Sequence, residues 1–122
     1  MLEEFQVYIV NLKQDTERKE SILTELKRQN IKNFKFIDAV DGKKLKKKDL
    51  ISCVFDSEKE YNKWGPKLTH SQIGCALSHI KIYKDFIKSK RNYALIFEDD
   101  AVFLKNFTID LENLILKNFK FK

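Results

Sequence analysis

Tyr93-Ala-Leu-Ile-Phe-Glu-Asp-Asp-Ala-Val-Phe103 is an apolar, β-prone run that leads into three consecutive carboxylates, Glu98, Asp99 and Asp100. The pattern predicts a buried strand whose end carries the acids out of the core. Adjacent carboxylates repel one another and lose hydration at such an exit, so a hard cation with oxygen ligands, Mg²⁺ or Mn²⁺, is the partner that holds them ionised most easily. Alternation along an extended chain would put Glu98 and Asp100 on one face, where one metal can meet both, and Asp99 on the other. The plainer alternative is a solvated strand-to-loop edge with no metal.

Working outward, Phe5-Gln-Val-Tyr-Ile-Val-Asn-Leu12 predicts a first strand, and Asp15 an N-cap for a helix with Ile22, Leu23 and Leu26 on one side and a stop at Asn30. Phe34-Lys-Phe-Ile37 gives a second strand that ends in Asp38-Ala-Val-Asp-Gly42, where Asp-Gly marks a tight turn. Strand, helix and strand at this spacing form a βαβ unit, hence a parallel pair with a right-handed crossover. Residues 43–67 are expected to be a loop-rich insertion with one short helix, interrupted by Trp64-Gly-Pro66.

Thr69-His-Ser-Gln72 fits a capping box, so a long helix should begin there. Ile73, Leu77, Ile80 and Ile87 follow one face of it and Cys75, His79, Ile82 and Phe86 the opposite one, which predicts packing on both sides. Asp110 is expected to cap a last helix carrying Leu111, Leu114 and Ile115, before the chain reaches Lys117-Asn-Phe-Lys-Phe-Lys122. Three strands make a small sheet, with apolar edges that ordinarily need further strands or covering helices.

A length of 122 residues suits one domain over 1–122, and 43% hydrophobic content with 10 phenylalanines can fill its core, which excludes a disordered tail. The net charge of +6 favours anionic partners. The run Lys43-Lys-Leu-Lys-Lys-Lys48 reads first as a solvated face, and no aromatics interleave with it as a single-strand nucleic-acid groove would require. Val7-Tyr-Ile-Val10 follows Glu3 and Glu4 and is too short for a signal segment or a membrane span, so a cytoplasmic protein is expected. Cys53 and Cys75 lack a CxxC spacing and are expected to be reduced and packed.

His70 and His79 lie nine positions apart, half a turn out of phase on one helix, which excludes a two-histidine metal site within it. Ser78 and His79 diverge by about 100° and make a poor nucleophile and base pair. For His79 alone, a satisfied core histidine is the default and a polar contact to a ligand the alternative.

The succession Val7-Tyr-Ile-Val-Asn-Leu12 with Arg18, then Phe36-Ile-Asp-Ala-Val-Asp-Gly42, then Leu68-Thr-His-Ser-Gln-Ile-Gly-Cys-Ala-Leu-Ser-His79, then Ala94-Leu-Ile-Phe-Glu-Asp-Asp-Ala-Val102 resembles glycosyltransferase family 25 over nearly the whole chain. That family contains the bacterial lipooligosaccharide and lipopolysaccharide galactosyltransferases and is related to the collagen galactosyltransferases. The resemblance implies an α/β, GT-A-like fold, in which a Rossmann-like nucleotide-sugar-binding domain with a mostly parallel sheet flanked by helices precedes an acceptor half. It assigns Asp100, with Glu98, to the family's version of the DxD motif, holding Mn²⁺ or Mg²⁺ against a nucleotide-sugar diphosphate such as UDP-galactose. By the same resemblance Asn11, Arg18, Asp41 and Gly42 wall the nucleotide, with Ser78, His79, Glu98 and Asp99 also near the donor.

Two departures from the family stand out. Gln72 occupies a position where the family usually has Glu, though it still completes the capping box. Family members also continue well beyond residue 122, so the chain is expected to be the N-terminal, donor-binding part of an incomplete domain. The catalytic base that deprotonates an incoming hydroxyl is then expected to lie outside it. Asp99 makes a poor base, because a nearby metal lowers its pKa.

The resemblance thus implies metal-assisted hexose transfer, with galactose foremost, to a glycolipid acceptor in lipooligosaccharide or lipopolysaccharide biosynthesis. Peripheral contact with an anionic surface at the inner face of the inner membrane would suit the basic charge. The alternative is a truncated, non-catalytic nucleotide-sugar-binding remnant. A two-metal nuclease is the weakest alternative, since no other acidic cluster sits at a strand end, and no nucleic-acid partner is expected.

Overall fold

A computed structural model describes residues 2–53, 55 and 57–118. Strand β1 (Phe5–Asn11) leads through helix α1 (Thr16–Arg28) to β2 (Lys35–Asp38). Short helices α2 (Lys47–Cys53) and α3 (Glu58–Trp64) follow, then the long helix α4 (His70–Ser89), strand β3 (Tyr93–Glu98) and helix α5 (Phe107–Asn118). The three strands form one sheet in the order β2-β1-β3, with β1 parallel to both neighbours. The expected βαβ unit and small α/β sheet flanked by helices are therefore present.

Side-chain alternation along β1 divides the core into two layers. Val7 and Ile9 pack with Ile22, Leu26 and Ile31 on the α1 side, together with Phe103 and the partly buried Phe36, Leu95 and Phe97. Tyr8 and Val10 pack with Ile82 of α4 on the other side, supported by Ile37, Phe86, Ala94 and Ile96. A central strand with both faces covered needs a nearly continuous apolar run, and β1 is buried at every position but Gln6.

Local signals fix the helix ends. The Asp15 side chain accepts from the Arg18 backbone N–H at the start of α1. At its other end Asn30 adopts φ 56°, its N–H bonds to the Lys27 carbonyl, and the Ile31 N–H reaches the Leu26 carbonyl. These are the two bonds of a Schellman motif, and Ile31 packs with Leu26 in the same cluster. The capping box of α4 is complete, with Thr69 Oγ1 accepting from the Gln72 N–H at 3.1 Å and Gln72 Oε1 accepting from the Thr69 N–H at 2.9 Å.

Four expectations need correction. Residues 43–67 hold two short α-helices and a 3-10 turn at Gly65–Lys67, because Ser57 caps α3 and Asp49 holds the Lys46 N–H beside α2. Helix α4 packs on one side only: Ile73, Gly74, Ser78 and Ile82 are buried, while Ile80, Tyr83 and Ile87 are exposed. Cys75 is exposed, since its position on α4 faces away from the sheet core; the side chain of Cys53 lies outside the described residues. Helix α5 starts at Phe107, so Asp110 sits within its first turn, where its charge complements the helix dipole, and does not cap it.

Candidate functional site

All three strands run the same way, so Asn11, Asp38 and Glu98 end at one edge of the sheet. Helices α1 and α4 leave the sheet toward opposite faces, which makes the gap between β1 and β3 the point where the winding reverses. Crevices at that point, beyond the carboxyl ends of the strands, are where open α/β sheets take ligands. A cleft of about 500 Å³ opens there, and its lining includes Arg18, Asp41, Gly42, Ser78, Glu98 and Asp99. Six of the nine donor- and metal-site residues named from the sequence thus share one concavity.

The acidic triplet is shaped by the end of the strand. β3 stops at Glu98, and the Ala101 N–H closes a turn onto the Glu98 carbonyl at 3.2 Å. Strand alternation therefore does not extend to Asp100, although the burial still alternates, with Glu98 and Asp100 exposed and Asp99 buried. Asp99 turns inward to accept from Asn11 Nδ2 at 2.9 Å, and Asn11, itself buried, also donates to the Asp15 carbonyl at 3.2 Å. Arg18 Nη1 stands 3.5 Å from Asp99 and its Nε 3.4 Å from Asp15, so one guanidinium spans two carboxylates at the rim. This network ties the ends of β1 and β3 to the start of α1.

The opposite wall depends on two glycines. A Cβ on Gly42 would lie 1.8 Å from the His70 carbonyl oxygen, and one on Gly74 would lie 2.7 Å from both the Gly42 nitrogen and the Val40 oxygen. Backbone therefore meets backbone where the loop after β2 crosses the first turns of α4, a contact that a side chain would abolish. Ser78 fastens the same joint: its hydroxyl donates to the Gly74 carbonyl at 2.7 Å and accepts from the Val40 N–H at 2.9 Å. Its buried oxygen is committed to the wall. Asp41 caps the Gly42–Lys44 turn through the Lys43 N–H and accepts from Gln14 Nε2 at 3.1 Å. The tight turn expected at Asp41-Gly42 is thus a 3-10 turn.

His79 is not a core histidine. It is partly exposed, its Nε2 lies 3.2 Å from Glu98 Oε1, and its ring meets Tyr83 edge-on. Among the described residues, Cys75, His79 and Glu98 form a group whose ligand atoms lie within 4.8 Å of one another. Of these Cys75 went unnoticed as a site residue in the sequence, although its i, i+4 spacing from His79 was available as a signal. Glu98 and Asp100 supply exposed carboxylate oxygens, the donor type that suits a hard cation able to keep waters and substrate oxygens as its other ligands.

The wall behind the acids is held from α1. Glu25 accepts from the Phe103 N–H at 2.9 Å, and Arg28 bridges Glu25 and the Phe103 carbonyl. The Arg28 guanidinium and the Phe103 N–H hold the Glu25 carboxyl below its ordinary range. Gln29 Nε2 donates to the Leu104 carbonyl at 2.9 Å. No helix among the described residues is long and apolar enough to cross a membrane.

The family model described as glycosyltransferase family 25 (LPS biosynthesis protein) matches residues 5–122. Human procollagen galactosyltransferase 2 is 31% identical over 112 residues, which cover 90% of this chain and 18% of the relative. Human inactive glycosyltransferase 25 family member 3 is also 31% identical over 112 residues, covering 90% and 19%. The procollagen lysyl hydroxylase and glycosyltransferase of Acanthamoeba polyphaga mimivirus is 32% identical over 111 residues, covering 82% and 12%. The chain therefore spans less than a fifth of the length of these curated relatives.

Proposed function

Because the chain belongs to glycosyltransferase family 25, we propose that residues 1–122 form the donor-binding part of a hexosyltransferase that takes galactose from UDP-galactose. The observation that carries this reading is the convergence of Arg18, Asp41, Glu98 and Asp99 on one cleft at the winding reversal of a parallel sheet. A galactosyltransferase among the relatives supports the sugar, and the LPS description of the family model supports a lipooligosaccharide or lipopolysaccharide acceptor. The net charge of +6 suits an anionic glycolipid and a peripheral place at the inner, cytoplasmic face of a membrane.

In this reading Glu98 and Asp100 hold Mn²⁺ or Mg²⁺, which when bound stabilises the negative charge that develops on the departing nucleoside diphosphate. Asn11, Asp99 and Arg18 keep the β1 and β3 ends in register, and Arg18 presents a cation to the diphosphate at the rim. Asp41 and Gly42 form the facing wall, with Ser78 fixing it and His79 orienting Glu98. Asp99, hydrogen-bonded to Asn11 and beside Arg18, is held in place as an acceptor and is not the base of the transfer. That base belongs to the acceptor half.

Calorimetric titration with UDP and UDP-galactose, in Mn²⁺ and again in EDTA, tests this. Binding that requires Mn²⁺ and is lost in Asp100→Ala is expected, whereas unchanged affinity in that variant would remove the metal assignment. A second reading, a nucleotide-sugar binder without turnover, is favoured by the human relative named as inactive. Sugar transfer by a protein containing this domain would decide against it.

A further inference from the structure

We propose that Cys75, His79 and Glu98 form a binding site for a borderline-soft divalent cation, zinc foremost, chemically distinct from a site for Mn²⁺ or Mg²⁺. Cys75 and His79 stand one turn apart on α4, so their side chains share a face, and Glu98 meets them from the end of β3. His79 Nε2 and Glu98 Oε1 are 3.2 Å apart, and all three ligand atoms lie within 4.8 Å. A tetrahedral zinc with bonds of about 2.0–2.3 Å separates its ligands by roughly 3.3–3.6 Å. The nitrogen–oxygen edge already has about that length. Small rotations of exposed side chains close the rest, since Cys75 and Glu98 are both exposed.

Thiolate and imidazole select zinc and its neighbours over Mg²⁺ and Mn²⁺, which take oxygen ligands. Three protein ligands would leave a fourth tetrahedral position for water or another ligand, and two of the three, Cys75 and Glu98, line the cleft. Binding releases the Cys75 thiol proton to solvent, with the sulfur bound as thiolate and the imidazole neutral, so affinity should rise with pH. Glu98 is common to this site and the proposed hard-cation site, so filling one is expected to change the affinity of the other. The inference does not depend on the chain being a transferase.

The test uses the purified protein with Zn²⁺ alone, in competition with a chromophoric chelator, and with Co²⁺ alone for its thiolate charge-transfer absorption. One equivalent of metal and a thiolate band are expected. Cys75→Ser should remove the band and weaken binding at least about tenfold, the lower end of the loss seen when even an outer-shell partner is removed. His79→Asn should weaken binding similarly while keeping a thiolate, and Cys53→Ser should change neither readout. A missing band in the wild type, or a band lost in Cys53→Ser and kept in Cys75→Ser, would overturn the site. UDP binding in Mn²⁺ is titrated separately, so failure here leaves the donor-binding reading standing, and the reverse holds too.

Discussion

At the N-terminal end of the strands a concavity of about 830 Å³ is lined by residues such as Gln6, Asn30, Arg91, Thr108 and Glu112, whereas the C-terminal end carries the 500 Å³ cleft with Arg18, Asp41, Glu98 and Asp99. The larger space is bordered by groups bound to the fold itself. Arg91 donates to the Glu3 carbonyl at 2.7 Å, and the Thr108 hydroxyl donates to the Gln29 carbonyl at 3.0 Å. At the smaller one, Arg18 from α1, Asp41 from the loop after β2 and the adjacent Glu98 and Asp99 at the end of β3 converge. Size alone favours the N-terminal end; the convergence of polar groups from separate strands and loops favours the C-terminal one as a ligand site.

The comparison implies that the C-terminal end is built to tighter tolerance, and Gly42→Ala is the strongest way to break it. Its Cβ would lie 1.8 Å from the His70 carbonyl oxygen, a backbone atom that no rotamer change can move aside. A loss of about 3 kcal/mol is expected, at the upper end of ordinary overpacking costs, read as a fall in the urea midpoint. A midpoint equal to the wild type would mean that the loop can step away from α4, and the tight-wall account would fail.

Asp99→Ala probes the same end from the β3 side. It removes the acceptor of the buried Asn11 amide, which keeps only the longer bond to the Asp15 carbonyl. Leaving a buried polar group less satisfied costs about 1–3 kcal/mol, and Asp99→Asn, which keeps an acceptor oxygen, should recover most of it. Equal losses in the two variants would show that charge near Arg18, and not the hydrogen bond to Asn11, holds the strand ends together.

Much of this architecture is written locally. The apolar run of β1, the Asp15 cap, the Asn30 stop and the Thr69–Gln72 capping box are decided by neighbours within a few residues, and each appears where its residues predict. The two-sided packing expected of α4 failed because periodicity reports which residues are apolar, not which face meets a sheet: Ile80 and Ile87 repeat correctly yet lie in the open. Residues 43–67 were hard to read because helices α2 and α3 are only seven residues each, too short for a periodic signal. At the site, the carboxylates announced themselves as a triplet. The inward turn of Asp99 toward Asn11, the commitment of Ser78 to the wall, and the approach of Cys75 and His79 to Glu98 depend on contacts between residues far apart in the chain, which no single-chain pattern encodes.

The last contrast concerns charge on the α4 side of the sheet, away from the cleft. There Asp85 accepts from the buried Tyr8 hydroxyl at 2.7 Å and from Lys35, an arrangement that is complete without a ligand. Those donors, Lys35 first and then Tyr8, hold the Asp85 carboxyl below its ordinary range, while burial and then Asp85 itself push the Tyr8 hydroxyl up. A carboxylate whose folded pKa is depressed stabilises the fold fully above its unfolded pKa, and loses that contribution as pH falls through the folded value. Stability should therefore hold from neutrality down to about pH 4 and decline below it. Asp85→Asn should lose about 1 kcal/mol at pH 7 and flatten part of the acid slope, with the remainder carried by Glu25, whose carboxyl is shifted the same way. Urea midpoints at pH 7 and near pH 3 in both proteins measure it, and an unaltered slope in the variant would assign the acid sensitivity to Glu25 instead.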